Sequence, residues 1–471
     1  MYPKNKKTNA VKLAVALAFG LSAGAAQAQT TVTGQDIYSG TSSALFRSMT
    51  AVNDHVYFTA DDGTNGREPW IVAPGNRGAR LLGNIRSSWW GSDPYGYTRA
   101  GDNVFFSAVG DNYGRELYIH EPYSGRIDLV KDINPGSASS GPTWFASLGH
   151  TLVFVADDGT SGEQIWVSDG TDRGTYSISR DAKDPEALTR IGDKVYFWAH
   201  TSRTGYEPWV TDGTKSGTHI VKDIAPGTTS SRVSVSITSG LLQRVSEFHD
   251  IDGKAWFLAN DHTSSTGAEP WSSDGTYTGT ELVADLNQGP LGSYAVNLAW
   301  SEPTRTVVLS AETYATGREP WLLTLALNGK VTRADYFDLR QGAQGSVPSE
   351  ITEVNGRFVF AANSGVQGRE PWGIDPLGEN SPVLLSNIWG GRGDSNPNGF
   401  QNVDGGVVFT ARNRRHGSEL WFSDGSRAWL LADIVPGSTG SVPALITGTS
   451  NSAVFQAVLP GLGRELYVVD W

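Results

Sequence analysis

A glutamate followed two residues later by Trp or Tyr recurs along this chain: Glu68 with Trp70, Glu116 with Tyr118, Glu207 with Trp209, Glu269 with Trp271, Glu319 with Trp321, Glu370 with Trp372, Glu419 with Trp421 and Glu465 with Tyr467. Gln164 and Trp166 hold the same place in EQIW. Carboxylates are the usual material of general acid–base catalysis. A catalytic carboxylate needs one special environment, however, and nine equivalent positions do not each have it. The series therefore reads as structural. The acids are expected to accept backbone hydrogen bonds or to pair with arginine. The rings are expected to fill space between repeats, with each indole N–H on a buried acceptor. Arg67, Arg115, Arg318, Arg369 and Arg464 directly precede the glutamate. Adjacent strand residues face opposite ways, so each arginine is expected to find its partner in the next repeat.

Binding chemistry is then sought where the repeats differ. RSSWWGSDPYGY (86–97) gathers Trp89, Trp90, Tyr95 and Tyr97 in one loop. Exposed aromatics there would stack on sugar rings or anchor a protein partner; buried ones would cover the core beneath. ARNRRHG (411–417) places Arg412, Arg414, Arg415 and His416 where other repeats are acidic, and could hold an anion or an acidic sugar. His249, Asp250 and Asp252 offer two metal-ligand types without a metal-site spacing. The Asp pairs of ADDGT (60–64 and 156–160) suit turns; calcium is the cation they would take, but no EF-hand loop surrounds them. An RGD tripeptide at 392–394 is short enough to arise by chance in a Gly-rich chain. Beyond residue 28, nucleophile-elbow, HExxH and phosphate-loop patterns do not occur. No catalytic residue, cofactor or metal is assigned.

These residues need elements to carry them. The aromatic positions recur about every 50 residues, a period that marks a propeller or solenoid. Each unit has an apolar strand such as LVFVA (152–156), then the motif strand QIWVS (164–168), then a turn such as SDGTDRGT (168–175), then a strand such as TYSIS (175–179). A further strand, such as FASLG (145–149), opens the unit. We label these strands a (FASLG), b (LVFVA), c (QIWVS) and d (TYSIS). Strand d leads to an Asx at Asp36, Asn84, Asp132, Asp181, Asp223, Asp285, Asp338, Asn387 or Asp433. Asp-Gly supplies the positive φ that a tight c–d turn requires. The reading is an all-β propeller of nine four-stranded antiparallel blades. An eight-bladed ring is the alternative if the stretch 295–340 or the long fifth unit is not a blade. The mature chain opens on a d strand (TTVTGQDI, 30–37) and ends on a c strand (ELYVVDW, 465–471), so pairing the two closes the ring and removes exposed edges. In ordinary propeller topology the d–a and b–c loops share one face, and these are the long, varied loops.

Residues 1–28 have a basic start, a short apolar run and Ala26-Gln27-Ala28, the layout of a secretory signal peptide. The apolar run is short for a membrane span, and no transmembrane helix is expected. Residues 29–471 form one domain. Removing the leader takes four lysines and changes the formal charge from −12 to −16. Such a balance disfavours nucleic acid as a partner. The chain has no cysteine, so an exported location, periplasmic, extracellular or at the cell surface, would come without disulfides.

EQIWVSDGT (163–171), EPWVTDGT (207–214), EPWSSDGT (269–276) and ELWFSDGS (419–426) resemble the ELWxxDGT repeat of secreted bacterial proteins, and GTHIVKDIAPG (217–227) continues the likeness. The resemblance spans about residues 36 to 467; DGT is missing from units one, two, six, seven and nine. It implies export and repetition and no particular chemistry. The functional reading is a monomeric, exported, non-catalytic binding scaffold for a glycan or protein, through Trp89, Trp90, Tyr95, Tyr97, Arg414, Arg415 and His416. The alternative is an extracytoplasmic carbohydrate-active enzyme with its site at the central channel. The strands expected to be innermost, SMTAV (48–52) and ALITG (444–448), offer few carboxylates for it.

Overall fold

A computed structural model describes residues 9–13, 31–39, 42–73, 77–179, 181–237, 241–245, 247–263, 265–378, 381–449 and 452–470. The protein is an all-β propeller of nine four-stranded antiparallel blades. The third blade shows the plan: strand a Thr143–Leu148, b Thr151–Asp157, c Glu163–Ser168 and d Tyr176–Ser177, paired in that order. The fifth and sixth units each form a full blade, a–d running from His249–Ile251 to Glu281–Leu282 and from Val296–Ser301 to Val331–Tyr336. Nine blades therefore replace the eight-bladed alternative. The length of the fifth unit comes from an added hairpin, Ser234–Ile237 with Leu241–Val245, ahead of its strand a.

Sequence pattern explains the layers. Strand b is a continuous apolar run because both its faces are covered: Leu152, Val153, Phe154, Val155 and Ala156 are all buried. Strand d is shorter than TYSIS suggested. In blades three, four, five and seven it is two residues long, and a short outer strand offers little edge for a second chain to pair with.

Two compact units divide the chain. One comprises Met1–Tyr97, Ala108–Asp111 and Thr352–Trp471; the other comprises Thr98–Ser107 and Asn112–Ile351. In the first, apolar clusters join neighbouring blades. Phe46, Phe58 and Trp70 of blade one pack with Val454, Leu466 and Val468 of blade nine, and Val408 and Leu420 of blade eight pack with Phe455 and Tyr467 of blade nine. Here Thr31–Asp36 pairs antiparallel with Gly463–Asp470, so the N-terminal strand completes the last blade as expected. In the second unit the same arrangement holds: Val153 and Ile165 of blade three meet Phe197 and Trp209 of blade four.

The predicted leader lies outside the described residues except at Asn9–Leu13, which pairs with Thr31–Asp36 as a fifth strand. No helix among the described residues is long and apolar enough to cross a membrane.

Candidate binding site

The repeated acids come first, because every blade but the third carries one. All eight glutamates of the motif are buried. Glu68 accepts from the backbone N–H of Ile85 (3.2 Å), Arg86 (3.1 Å) and Ser92 (3.1 Å) and from Ser92 Oγ (2.5 Å). Glu207 does the same with Ile224, Ala225 and Ser231, and Glu319 with Leu339, Arg340 and Ser346. Each glutamate thus gathers the d–a loop that follows its blade. A buried backbone N–H needs an acceptor, and one carboxylate serves three of them. Burial pushes Glu68, Glu207, Glu269 and Glu419 up to about 7, while the donors pull in the other direction. Glu465 lacks the serine hydroxyl, because Ala44 stands in that place, its N–H on the Arg464 carbonyl as those of Ser231 and Ser395 are on Tyr206 and Arg369; burial raises Glu465 to about 8.

The serines of this cage were not singled out from sequence. Ser92, Ser140, Ser231 and Ser293 each come 24 residues after their glutamate. Ser346, Ser395 and Ser441 come after 27, 25 and 22. A search for Ser at that spacing, usually two residues before Pro, would have found most of them. In blade three Gln164 accepts from Ser177 Oγ instead, and no d–a cage is seen among the described residues.

Four of the motif tryptophans donate as expected, whereas the buried Nε1 of Trp321 and of Trp372 meets no acceptor among the described residues. Trp70, Trp166, Trp209 and Trp421 each bond a strand-b carbonyl at 3.1 Å. Three of the preceding arginines bond back onto their own blades. Arg115, Arg318 and Arg369 donate to strand-b carbonyls of their own blade, at Ser107, Ser310 and Ala361. Arg67 meets a carboxylate beyond its blade, Asp93, at 2.5 Å. The extended guanidinium lies back along its own hairpin, which a face-alternation argument does not foresee.

The DGT turns are closed by their own side chains. Asp212 Oδ1 accepts from Thr214 N and Oγ1, Thr214 Oγ1 accepts from Gly217 N, and Thr218 Oγ1 meets Thr211 Oγ1 at 2.7 Å. The ADDGT turns are likewise self-contained: Asp62 accepts from the N–H of Thr64 and Asn65, and Asp158 from those of Thr160 and Ser161. Among the described residues no group of three or more acids, His or Cys is placed to hold a metal. Asp252 pairs with Arg305 at 2.6 Å, and half-buried His249 is pushed below its ordinary value by desolvation. Asp394 of the RGD tripeptide accepts from Arg369 N and so anchors its own loop.

The aromatic loop splits into two parts. Trp89 and Trp90 are 70% and 60% exposed, with ring centroids 3.9 Å apart. The loop beneath them is fixed. Ser87 N and Oγ donate to Asp111, Ser92 is held by Glu68, and Gly91 forms a bridge with Arg67. Gly66 and Gly91 are needed for this approach: a Cβ on Gly66 would stand 2.4 Å from Gly91 N. Tyr95 is half-buried. Tyr97 is a correction: it is 2% exposed, its hydroxyl meets Thr59 Oγ1 at 3.0 Å and donates to the Phe58 carbonyl, and burial drives its acidity far down. Strand a starts at Tyr95, so Tyr97 belongs to the blade and its ring packs inward against Tyr57.

In blade eight, Arg414 and Arg415 are exposed. His416 turns away from a ligand role, with Nδ1 at 2.8 Å from Asp433 Oδ2. The guanidiniums of Arg412 and Arg414 lie 5.1 and 5.6 Å from the ring centre of Trp389, a residue the sequence did not bring forward. The second unit also has a groove of about 740 Å³ lined by Lys194, His219, Lys222 and Tyr277. Its lysines donate to backbone carbonyls of the next turn, Lys194 to Asp274 and Lys222 to Thr280, and so serve as staples.

No family model and no curated protein matches the chain. Solved structures similar to it include a Mycobacterium tuberculosis puromycin-hydrolyzing peptidase, at 10% identity and a TM-score of 0.41 over 89% of this chain and 61% of that one. A structure from a study of two prolyl endopeptidases gives 10% identity and 0.39 over 82% and 54%. The β-propeller domain of the Trilobed protease from Pyrococcus furiosus gives 9% and 0.36 over 73% and 98%. The chain spans little more than half the length of the prolyl endopeptidase.

Proposed function

We propose that this is an exported, non-catalytic β-propeller of the ELWxxDGT-repeat kind, which binds a glycan or protein through its d–a and b–c loops. The observation that carries the reading is the Trp89–Trp90 pair. Two large indoles stand in solvent on a loop whose backbone is tied to Glu68, Arg67 and Asp111. Leaving apolar rings exposed on a rigid support is the arrangement of a recognition surface, since the ordering cost is met before the ligand arrives. The buried carboxylates of the motif support the same reading, because each accepts hydrogen bonds from backbone N–H groups of the loop that follows its blade.

The test is retention of the purified protein on a panel of polysaccharides and envelope fractions, with and without calcium, while new chain ends are assayed in the same samples. Retention without new ends is expected. Trp89→Ala with Trp90→Ala should weaken it by at least about tenfold, the scale of an aromatic hot spot, with an unchanged melting temperature. New chain ends would overturn the non-catalytic reading. Retention indifferent to both tryptophans would overturn the site.

A further inference from the structure

The b–c turn of blade eight keeps the frame of its counterparts and reverses their charge. Asn413 Oδ1 accepts from the N–H of Arg415 (3.0 Å) and His416 (2.7 Å). Asp62 and Asp158 hold their turns through the same two positions. Asn413 closes the turn, and no hydrogen bond from the Arg414 or Arg415 side chain holds it among the described residues.

They are nevertheless arranged. Arg412 Nε donates to the Asp394 carbonyl at 3.2 Å. Arg412 and Arg414 place their guanidiniums 5.1 and 5.6 Å from the centre of Trp389. Trp389 is itself fixed, because its backbone N–H donates to Glu370 and its ring covers Gly393, where a Cβ would meet it. Arg415 and Arg392 stand exposed on the same pair of loops. None of Arg392, Arg412, Arg414 and Arg415 has a carboxylate partner among the described residues. In a chain of formal charge −12 this is a local reversal of sign. A guanidinium on an aromatic face loses less freedom on binding and still presents its fork of donors. That fork matches a carboxylate or a sulfate in two parallel hydrogen bonds.

From this juxtaposition we infer that Trp389, Arg412, Arg414 and Arg415 form a subsite for the anionic groups of an acidic polysaccharide. The inference rests on the scaffold reading and names its ligand class. A nucleic acid fits less well. Duplex DNA carries one charge per roughly 1.7 Å of axis and would extend beyond four arginines onto an acidic surface. The charges of an acidic glycan are spread over its sugar units and suit a small cluster.

The probes are polygalacturonate, dextran sulfate, uncharged dextran and a duplex DNA oligonucleotide, each immobilised, at low and high salt. The expected result is retention on one or both acidic glycans at least about tenfold above dextran, weakened by salt. Polygalacturonate alone would assign a carboxylate and dextran sulfate alone a sulfate. Arg412→Gln with Arg414→Gln and Arg415→Gln should abolish the preference at unchanged melting temperature. The single change Arg415→Gln, at an exposed side chain, should reduce it if the triple variant misfolds. Equal retention on dextran, tighter retention on DNA, or variants that keep the preference would each overturn the inference and leave the Trp89–Trp90 reading standing. Failure to bind any polymer, with Trp89→Ala and Trp90→Ala silent on envelope fractions as well, would overturn both.

Discussion

At the residue scale, the distinction is between side chains that hold the protein together and side chains that face a ligand. Glu207 belongs to the first kind. Its two oxygens take the N–H of Ile224 and Ser231 at 2.9 and 3.0 Å and the Ser231 hydroxyl at 2.6 Å. Glu207→Gln preserves shape but turns an NH2 toward those donors, leaving at least one of them unpaired in a buried site. The expected cost is about 1–3 kcal/mol, read as a lower urea midpoint, with retention on polysaccharide unchanged. A variant of normal stability and lost binding would show that the glutamate is a site and not a clasp. Trp89 and Trp90 should behave in the reverse way. Tyr97 shows why the two kinds are hard to separate in a string of letters. It is two residues from Tyr95, yet inside strand a it is buried in the core, while Tyr95 at the first position of the strand is only half-buried.

At the element scale, the repeated turn explains its own spelling. Gly217 sits where a Cβ would lie 2.0 Å from Asp212 Oδ1, the atom that accepts from Thr214. The equivalent Gly174 and Gly279 would meet Asp169 and Asp274 at 2.0 and 2.1 Å. Gly227 is glycine for another reason: its φ is +85°, with nothing within 4 Å of a Cβ. Gly227→Ala should cost only the left-handed backbone penalty, about 1–2 kcal/mol. Gly217→Ala should cost more, because the Asp212–Thr214 bonds must open as well. Urea unfolding of the two variants compares them, and equal costs would sink the packing account. Blades, period, strand c and ring closure were legible because alternation, Asp-Gly turns and the glutamate motif are local signals. The serine clasp was not, since its partners are 22 to 27 residues apart and Ser is common in such loops. Neither was Trp389, which meets Arg412 and Arg414 only when a d–a loop and a b–c loop come together.

At the scale of the whole molecule, the clasps add up because there are eight of them with one sign. Glu68, Glu207, Glu269 and Glu419 rise from 4.5 to about 7 and Glu465 to about 8, and Glu116, Glu319 and Glu370 rise as well, all chiefly through burial. A carboxyl with a higher pKa in the folded state binds more protons there than in the unfolded chain. Its contribution is therefore complete below about 4.5 and is lost as pH climbs through 7. The turn aspartates Asp158, Asp169, Asp212, Asp274 and Asp424 shift downward. Their contribution is present above 3.8 and is lost as pH falls below it. His249, shifted downward by burial, opposes the glutamates as a single group. The two larger sets bracket an optimum near pH 4 to 5, with stability declining from there toward pH 8. Thermal unfolding across that range should show the decline, and Glu207→Gln should flatten part of it by removing one titrating group. A melting temperature that instead rises from pH 5 to 8 would mean that the N–H donors outweigh desolvation and keep the clasps ionised. The clasps would then be ordinary anion sites lined by backbone, and the acid limb of the stability curve would belong to them as much as to the turn aspartates.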